Sequence, residues 1–547
     1  MKKIIAIIVL AFSLNIQAQN WEWVKLIQPN DNKSYMGAVV GSNGKVYTAG
    51  NFNTSINFGN SQSLSGNWDG FAAQFDTAGL CQWAQRIYVT TQGCGCTVQG
   101  NHSYAQVVTD NSGNAIVYGA FCGCGATFGS GITSANSGYN LFLAKYNSSG
   151  VCQWVKTKPG SFNPSTGQTD DQIYAVTIDA SDNIYIDMGS LATNTTFCGL
   201  TFATAGEYLF KVNSSGVGIW EKQISTTTAG YGTTQLKYFN KRVYSCVQFV
   251  GTVALGTNTV TSQGSTDVAV LKMDTAGNVL ASTACQSTGT DQSLSIATSN
   301  NRIVLLTSTD ANSVTIGTHT LNTNGSKDKT FLVAYDTTSL TVQNYTNTAH
   351  DSLGSGSGLY GDIKGNLYIT VNNSAATGFG NIGSIAAGRH VIRMDNTLTN
   401  YWYTQSVSTC VAPDTLGNIF IVDGFNISAS YGSSLSETSS GHGITLGKIH
   451  NAWSTGMGGI RMASTNSMQV YPNPSTGLFN LQLGTNIKNN NAKITLYDIS
   501  GRLIADNIPF TKQDENTLQI DLTKYVEGSY IIKAEVDNVL YSAKLER

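Results

Sequence analysis

Short alternations of apolar and polar residues fill this chain. "FAAQF" (Phe71–Phe75) and "LCQWAQRI" (Leu80–Ile87) read as half-buried β-strands. The "DTAG" between them is a tight turn, in which an Asx side chain bonds back to the backbone and glycine accepts positive φ. The stretch "FDTAGLCQW" (Phe75–Trp83) is therefore predicted to be a β-hairpin. Nearly the same phrase returns as "YNSSGVCQW" (Tyr146–Trp154) and "VNSSGVGIW" (Val212–Trp220), with degenerate copies from Met273, Tyr335 and Met394. No long stretch keeps the 3.6-residue apolar period of a helix, so the expected class is all-β.

A second hairpin signal interleaves with the first. It begins with "VVGSNGKVYTAG" at Val39 and "VVTDNSGNAIVYG" at Val107, and it aligns on Lys45, Asn114, Asn183, Arg242, Arg302, Asn366 and Asn418. Two hairpins make a four-stranded unit, and a four-stranded unit repeated about every sixty residues is the sequence form of a β-propeller. The last unit lacks a strand. "WEWVKLI" (Trp21–Ile27) aligns with "CQWAQRI", tryptophan under tryptophan, and supplies it. The expectation is seven blades over residues 20–452, with the N-terminal strand completing the last blade and removing an open sheet edge.

Composition agrees with this reading. Of 547 residues 41% are hydrophobic and only 12% charged, with 57 Gly, 25 Tyr and 7 Pro. A net charge of −2 gives no electrostatic basis for binding nucleic acid or an anionic membrane. The first 18 residues read as a signal peptide: Lys2 and Lys3, an apolar run from Ile4 to Leu14 too short to span a bilayer, then a polar end with Ala18. No cysteine stands at the cleavage point, which argues against a lipoprotein. The mature protein, expected to begin near Gln19, carries no transmembrane span.

Residues 453–468 form a small-residue linker, and the tail 469–547 is richer in charge. Its pieces "VYPNPSTGLFNLQL", "AKITLYDISGRLI" and "VEGSYIIKAEVDNVLYSAKLER" are alternating strands with Pro or Gly turns, enough for a small Ig-like β-sandwich.

If the four strands run outward, the tight Asx–Gly turns share one face and the longer connections share the other. Binding residues are expected on the latter, in segments such as "TTQGCGCTVQGNH" (Thr90–His102) and "SLATNTTFCG" (Ser190–Gly199). Tyr35, Tyr104 and Tyr174 each stand at the start of a blade and are candidate sugar-stacking residues, with packing between blades as the alternative use of the same rings. Ten cysteines in an exported chain read first as disulfides. The specific expectation is that Cys94 or Cys96 bonds Cys122 or Cys124. Zinc is the alternative, against which the C-x-C spacing counts. Cys81 and Cys152 occupy equal outer strands, roughly 15–20 Å apart in a seven-fold ring, and should not pair.

No HExxH, GxSxG, phosphate loop or EF-hand loop is present. Asp110, Asp179, Asp362 and Asp414 recur, but at inner turns, where Asp caps its own backbone. No catalytic residue, metal site or cofactor is expected.

The repeats resemble the seven-bladed propeller repeat (SBBP) family of bacterial secreted proteins, most closely in the first three blades. The tail resembles the type A C-terminal sorting domain of the type IX secretion system. It does so at Tyr471, Pro472, Asn473, Pro474 and Gly477, at Tyr497, Asp498 and Gly501, and at Gly528, Tyr530 and Lys544. The resemblance implies a Gram-negative host, Sec export, passage through the outer membrane by the type IX machinery as partner, and release or display at the cell surface. Asp-Thr-Ala at Asp76 and Asp274 also resembles a bacterial O-glycosylation sequence, although both are turn positions. The expected role is binding or adhesion toward an extracellular glycan or protein. A polysaccharide-active enzyme on the same scaffold and a passive surface-layer component are the alternatives.

Overall fold

The structure is a computed structural model. It describes residues 21–449 and 468–547, apart from 30–34, 92–102, 161, 164–167, 170, 192, 226–234, 256–257, 323–328, 348–357, 374–376, 379–383, 386–387, 396, 406–407, 432–434, 484–486, 488–491, 499–502 and 537–538. The expected signal peptide, most of the linker, Cys94, Cys96 and Gly501 lie outside the described residues. The chain divides into two compact units, Met1–Gly456 and Met457–Arg547. Among the described residues there are strands and turns but no helix.

Antiparallel four-stranded sheets recur along the first unit. Sheet one holds Tyr35–Val40, Val46–Gly59, Gln62–Phe75 and Cys81–Thr91. Sheet two holds Ser103–Thr109, Ala115–Thr127, Thr133–Tyr146 and Cys152–Pro159, and sheet three Gln172–Ile178, Ile184–Ser190, Gly206–Val212 and Gly218–Ser225. Sheets four, five and six begin at Gln235, Asp291 and Leu359. The last holds Ser408–Pro413, Ile419–Tyr431 and Leu435–Ile449, and its fourth strand is Trp21–Pro29, paired to Leu435–Ile449 in the register Val24↔Gly447 and Leu26↔Thr445. Each first strand lies beside the first strand of the next sheet, and Ser408–Pro413 lies beside Tyr35–Val40.

The repeated phrase joins consecutive sheets. Within each copy the Asx side chain closes its own turn: Asp76 Oδ1 accepts from the amides of Ala78 and Leu80 at 3.0 and 2.9 Å, and Asn147 Oδ1 from those of Ser149 and Val151 at 3.0 and 2.9 Å. The glycine of each turn then meets a tryptophan from the preceding sheet. A Cβ on Gly150 would fall 2.7 Å from the Trp83 indole, one on Gly79 2.7 Å from Trp23, one on Gly277 2.8 Å from Trp220 and one on Gly216 3.0 Å from Trp154. These glycines also have φ between +73° and +81°, so both backbone conformation and close approach exclude a side chain. The indole N–H donates to a carbonyl of the same turn: Trp83 to Ser148, Trp154 to Ser214 and Trp220 to Thr275, each at 3.2 Å. Each phrase is thus a socket for the tryptophan before it, and its own tryptophan plugs the socket of the next.

The connections between second and third strands are not open loops. In sheets one and two and in the last sheet the strands run on past the blade as a hairpin, and in sheet three a separate hairpin forms, Thr195–Phe197 with Leu200–Phe202. These straps lie over the outer strands. In sheet one Asn60 Nδ2 donates to Cys81 O at 2.7 Å, and in sheet three Gly218 N donates to Cys198 O at 2.7 Å. Some also pair with the fourth strand of the preceding sheet (Gln28↔Asn57, Tyr88↔Thr127, Cys285↔Ile316). Their apolar residues, Phe58, Phe128, Phe197 and Phe202 among them, are buried in the cores between sheets. Hydrophobic burial explains the fold-back: an aromatic ring left in solvent forfeits about 1.5–3 kcal/mol.

The second unit has two sheets. Met468–Tyr471, Leu478–Leu483, Thr517–Asp521 and Phe510–Lys512 form one, and Leu503–Ala505, Ala492–Asp498, Ser529–Val536 and Val539–Glu546 the other. Phe479, Leu481 and Ile520 from the first share a buried core with Ile494, Leu496 and Ile532 from the second.

Replacing Trp83 by alanine empties the Gly150 socket and is expected to lower stability by about 3–5 kcal/mol. Trp83→Phe keeps the ring and loses the N–H donor, at a cost of about 1 kcal/mol. Denaturant unfolding of the two variants checks the order; equal losses would contradict the plug-and-socket account.

Candidate functional site

The candidate site lies on the face opposite the tight turns, where first strands begin and second strands end. Tyr35 opens the first strand of sheet one opposite Asn51, and its side chain lies outside the described residues. Tyr104 stands opposite Ala120 on the first strand of sheet two. It is half-buried, hydrogen-bonded with Tyr139 and packed against the core that contains Met188 and Tyr208. Tyr174 sits at a bulge in the first strand of sheet three and lies over Gly189, where a Cβ would fall 2.6 Å from its hydroxyl. Burial raises the Tyr174 hydroxyl above its ordinary pKa, and the charges of Glu207, Asp187 and Asp171 push the same way. Tyr174 therefore sits on a polar belt.

That belt joins neighbouring sheets. Lys158, at the end of sheet two, pairs with Asp171, just ahead of sheet three, at 2.8 Å with both side chains fully buried. The other oxygen of Asp171 accepts from the amide of Leu191 at 2.5 Å. Asp187 and Glu207, on paired strands of sheet three, are 1% and 4% exposed and hydrogen-bonded to each other. Ser245 Oγ of sheet four donates to Asp187 Oδ2 at 3.3 Å. Burial, reinforced by Asp187, lifts the Glu207 carboxyl well above its ordinary value. At the edge of the belt, Arg86 pairs with buried Asp69 at 2.6 Å.

The sequence did not single out Asp171, Lys158, Asp187 or Glu207. A signal was present. Asp69, Asn140 and Asp267 occupy one place in the repeat, seven residues ahead of the turn residues Asp76, Asn147 and Asp274, in a chain with few charges. The recurring aspartates that the sequence did mark are turn caps. Asp110 Oδ1 accepts from the amides of Ser112 and Asn114 at 3.0 and 2.8 Å, and Asp414 Oδ1 from those of Leu416 and Asn418 at 2.8 Å each. Burial opposes the charge on Asp110, but Lys145 at 2.8 Å and the Asn114 bonds outweigh it and hold the carboxyl below its usual range.

The cysteine expectation needs correction. Cys81, Cys152, Cys198, Cys246, Cys285 and Cys410 are free and buried. Burial pushes Cys81 to about 12 and Cys152 to about 11, so these thiols behave as small core hydrophobes and not as nucleophiles. Cys122 and Cys124, on the second strand of sheet two, are disulfide-bonded, while Cys94 and Cys96 lie outside the described residues. The expectation that Ser190–Gly199 is an open binding loop is also corrected. It carries part of a strap, with Phe197 and Cys198 buried because the strap fills the groove between outer strands. Among the described residues no group of three or more His, Cys, Asp or Glu side chains is placed to hold a metal ion.

In the second unit the scattered motif residues gather around the end of the chain. Asn473 Oδ1 accepts from the amide of Glu546 at 2.8 Å, and Ser475 N donates to Glu546 O at 3.0 Å. Gly528 exchanges backbone bonds with Arg547 at 2.8 and 3.0 Å. Gly477 has φ of +136°, and a Cβ there would strike Thr523 at 2.6 Å. Tyr530 is buried and donates to Val526 O at 2.6 Å, and Lys533 Nζ lies 4.7 Å from the Tyr497 ring. Tyr471, Pro472 and Pro474 are exposed. The side chains of Asp498 and Lys544 lie outside the described residues.

Removing one partner of the buried Lys158–Asp171 pair leaves an uncompensated charge, so Lys158→Met is expected to cost about 3–5 kcal/mol. The double variant Lys158→Met, Asp171→Leu should recover most of that loss, as read in denaturant unfolding. A double variant as unstable as the single would show that the pair is not self-contained.

Residues 469–545 match the family model described as a secretion system C-terminal sorting domain. That tail marks the protein for export by type IX secretion to the cell surface or extracellular space. No curated protein matches the chain. Solved structures with some likeness include quinohemoprotein alcohol dehydrogenase from Comamonas testosteroni, at 10% identity, 84% of this chain, 80% of that one and a TM-score of 0.38. A member of the DUF4221 family from Bacteroides vulgatus shows 13% identity over 68% of this chain and 99% of that one, TM-score 0.31. A mutant Synechocystis apocarotenoid oxygenase shows 8% identity over 97% and 98%, TM-score 0.32. At such TM-scores none of them carries an argument about this chain's chemistry.

Proposed function

We propose that the protein is a non-enzymatic type IX cargo: a signal peptide over residues 1–18, a seven-bladed β-propeller over 20–452, a linker over 453–468, and an Ig-like sorting domain over 469–547. The cyclic succession of neighbouring first strands and the pairing of Trp21–Pro29 with Leu435–Ile449 support the closed ring. The repeat phrases support kinship with the SBBP repeat family. A bond from Cys94 or Cys96 to Cys122 or Cys124 pins the connection between sheets one and two.

The propeller binds an extracellular glycan or protein, with Tyr35, Tyr104 and Tyr174 as the aromatic contacts. One observation carries the choice of binding over hydrolysis. A glycosidase needs two carboxyl groups facing a substrate, whereas Asp171, Asp187 and Glu207 converge inside the protein, at most 4% exposed, and bond to their neighbours. Their convergence is also what favours the second reading, a polysaccharide-active enzyme, if the site opens.

Mature protein incubated with insoluble polysaccharides and glycoproteins is expected to be retained on at least one of them without releasing reducing ends, and Tyr104→Ala with Tyr174→Ala should reduce retention. New reducing ends would overturn the reading in favour of hydrolysis. Unchanged retention in the tyrosine variants would move the contact elsewhere. Deletion of residues 469–547 is expected to leave the protein unexported, as read by immunoblot of cells and medium.

A further inference from the structure

Asp171 and Asp291 occupy equal places in the repeat, eight residues ahead of Asp179 and Ser299, yet they sit in opposite electrostatic company. At the seam between sheets two and three, Asp171 meets the ammonium of Lys158, with Asn140 fully buried nearby on the third strand of sheet two. At the seam between sheets four and five the lysine's place is held by Cys285 and that of Asn140 by Asp267, and Asp291 instead meets Ser287, two residues past the cysteine. Asp267 is 0% exposed and Asp291 1%. Neither forms an ion pair with a lysine or arginine among the described residues.

The hydrogen bonds locate the charge. Asp267 accepts from the amide of Ser287 at 3.0 Å through one oxygen and from the amide of Gln263 at 2.6 Å through the other. Both of its oxygens are thus occupied as acceptors from backbone amides. Asp291 accepts from Ser287 Oγ at 2.6 Å, so the two buried carboxyl groups meet at one residue. Two ionised carboxylates are acceptors only and repel each other when buried side by side without a cation, so their approach at Ser287 requires a proton. That proton belongs on Asp291. The other titratable groups facing the pair are the buried thiol of Cys285, which feels both aspartates, and Asp310, whose Oδ1 accepts from the amide of Thr290 at 2.6 Å. Neither supplies a positive charge.

We propose that the seam between sheets four and five is closed by a shared proton where the equivalent seam between sheets two and three is closed by a lysine, so that this joint loses stability as pH rises. Burial, with the Asp267 charge, raises Asp291 from 3.8 to about 7 against the lowering effect of Ser287 and Thr309. The sign follows. Below pH 3.8 both folded and unfolded chains hold the proton and the joint contributes its full stability. From 3.8 to about 7 the unfolded chain gives up the proton while the folded chain keeps it, so stability falls throughout that window.

Hydrogen exchange of the mature chain at about pH 5 and about pH 8, corrected for intrinsic rates, tests the joint against its internal control. Protection in Asp267–Met273, Val279–Ser287 and Asp291–Ser299 is expected to fall at least about threefold at the higher pH, while Cys152–Pro159 holds its own. Asp291→Asn should remove the difference, and Asp267→Asn, which copies the residue of sheet two, should shrink it. Equal behaviour of the two seams in the wild type would overturn the proposal. So would an unchanged pH response in a folded variant. If neither variant folds, infrared spectra of the Glu207→Gln variant decide: a protonated carboxyl C=O band still present at about pH 6 and gone at about pH 9 supports the proton, and its absence at about pH 6 overturns it.

Discussion

The contact on which the first unit depends is an indole ring laid on a glycine. Sheets in such an array bury one face against the next, and nothing in a strand pattern alone sets how far apart they stand. Trp83 on Gly150, Trp154 on Gly216 and Trp220 on Gly277 set that distance, and the indole N–H fixes the angle through one hydrogen bond to the turn. Because socket and plug occur in the same nine residues, copying the phrase copies the joint. Later copies relax the rule: in sheet five Asn344 makes the equivalent bond, to Thr397 O.

Two further devices act at the same seams. The straps bring phenylalanines from beyond the blade into the groove between outer strands, and the polar belt ties strand ends across the opposite face. The joints differ in what they ask of the solvent. Tryptophan sockets and straps depend on apolar burial and are indifferent to pH. The belt depends on charge, neutralised by lysine at one seam and by a proton at another.

Much of this was legible in the residues. The Asx–Gly turn with flanking alternation marked each outer hairpin, and the alignment of Trp23 with Trp83 assigned Trp21–Ile27 to the last sheet, where Trp21–Pro29 pairs with Leu435–Ile449. The straps were not legible, because "NFNTSINFGNSQSLSG" reads as a polar connection until Ile56 and Phe58 are seen turned inward. The carboxyl belt escaped for a related reason. Asp187 lies mid-strand with buried neighbours, and only pairing with Gly206–Val212 brings it to Glu207. The cysteines misled because an oxidising destination says which thiols are permitted to pair, not which ones face each other; six of them are core residues. In the tail, sequence order gave the motif, while its convergence on Glu546 and Arg547 required the fold.

The central claim is that the N-terminal strand completes the last sheet and closes the array. Hydrogen exchange of the mature protein reads this directly at the amides of Trp21–Pro29. The account predicts protection there equal, within about an order of magnitude, to that of Leu435–Ile449, its pairing partner. Exchange of Trp21–Pro29 at the rate of a free peptide, with Leu435–Ile449 still protected, would contradict it.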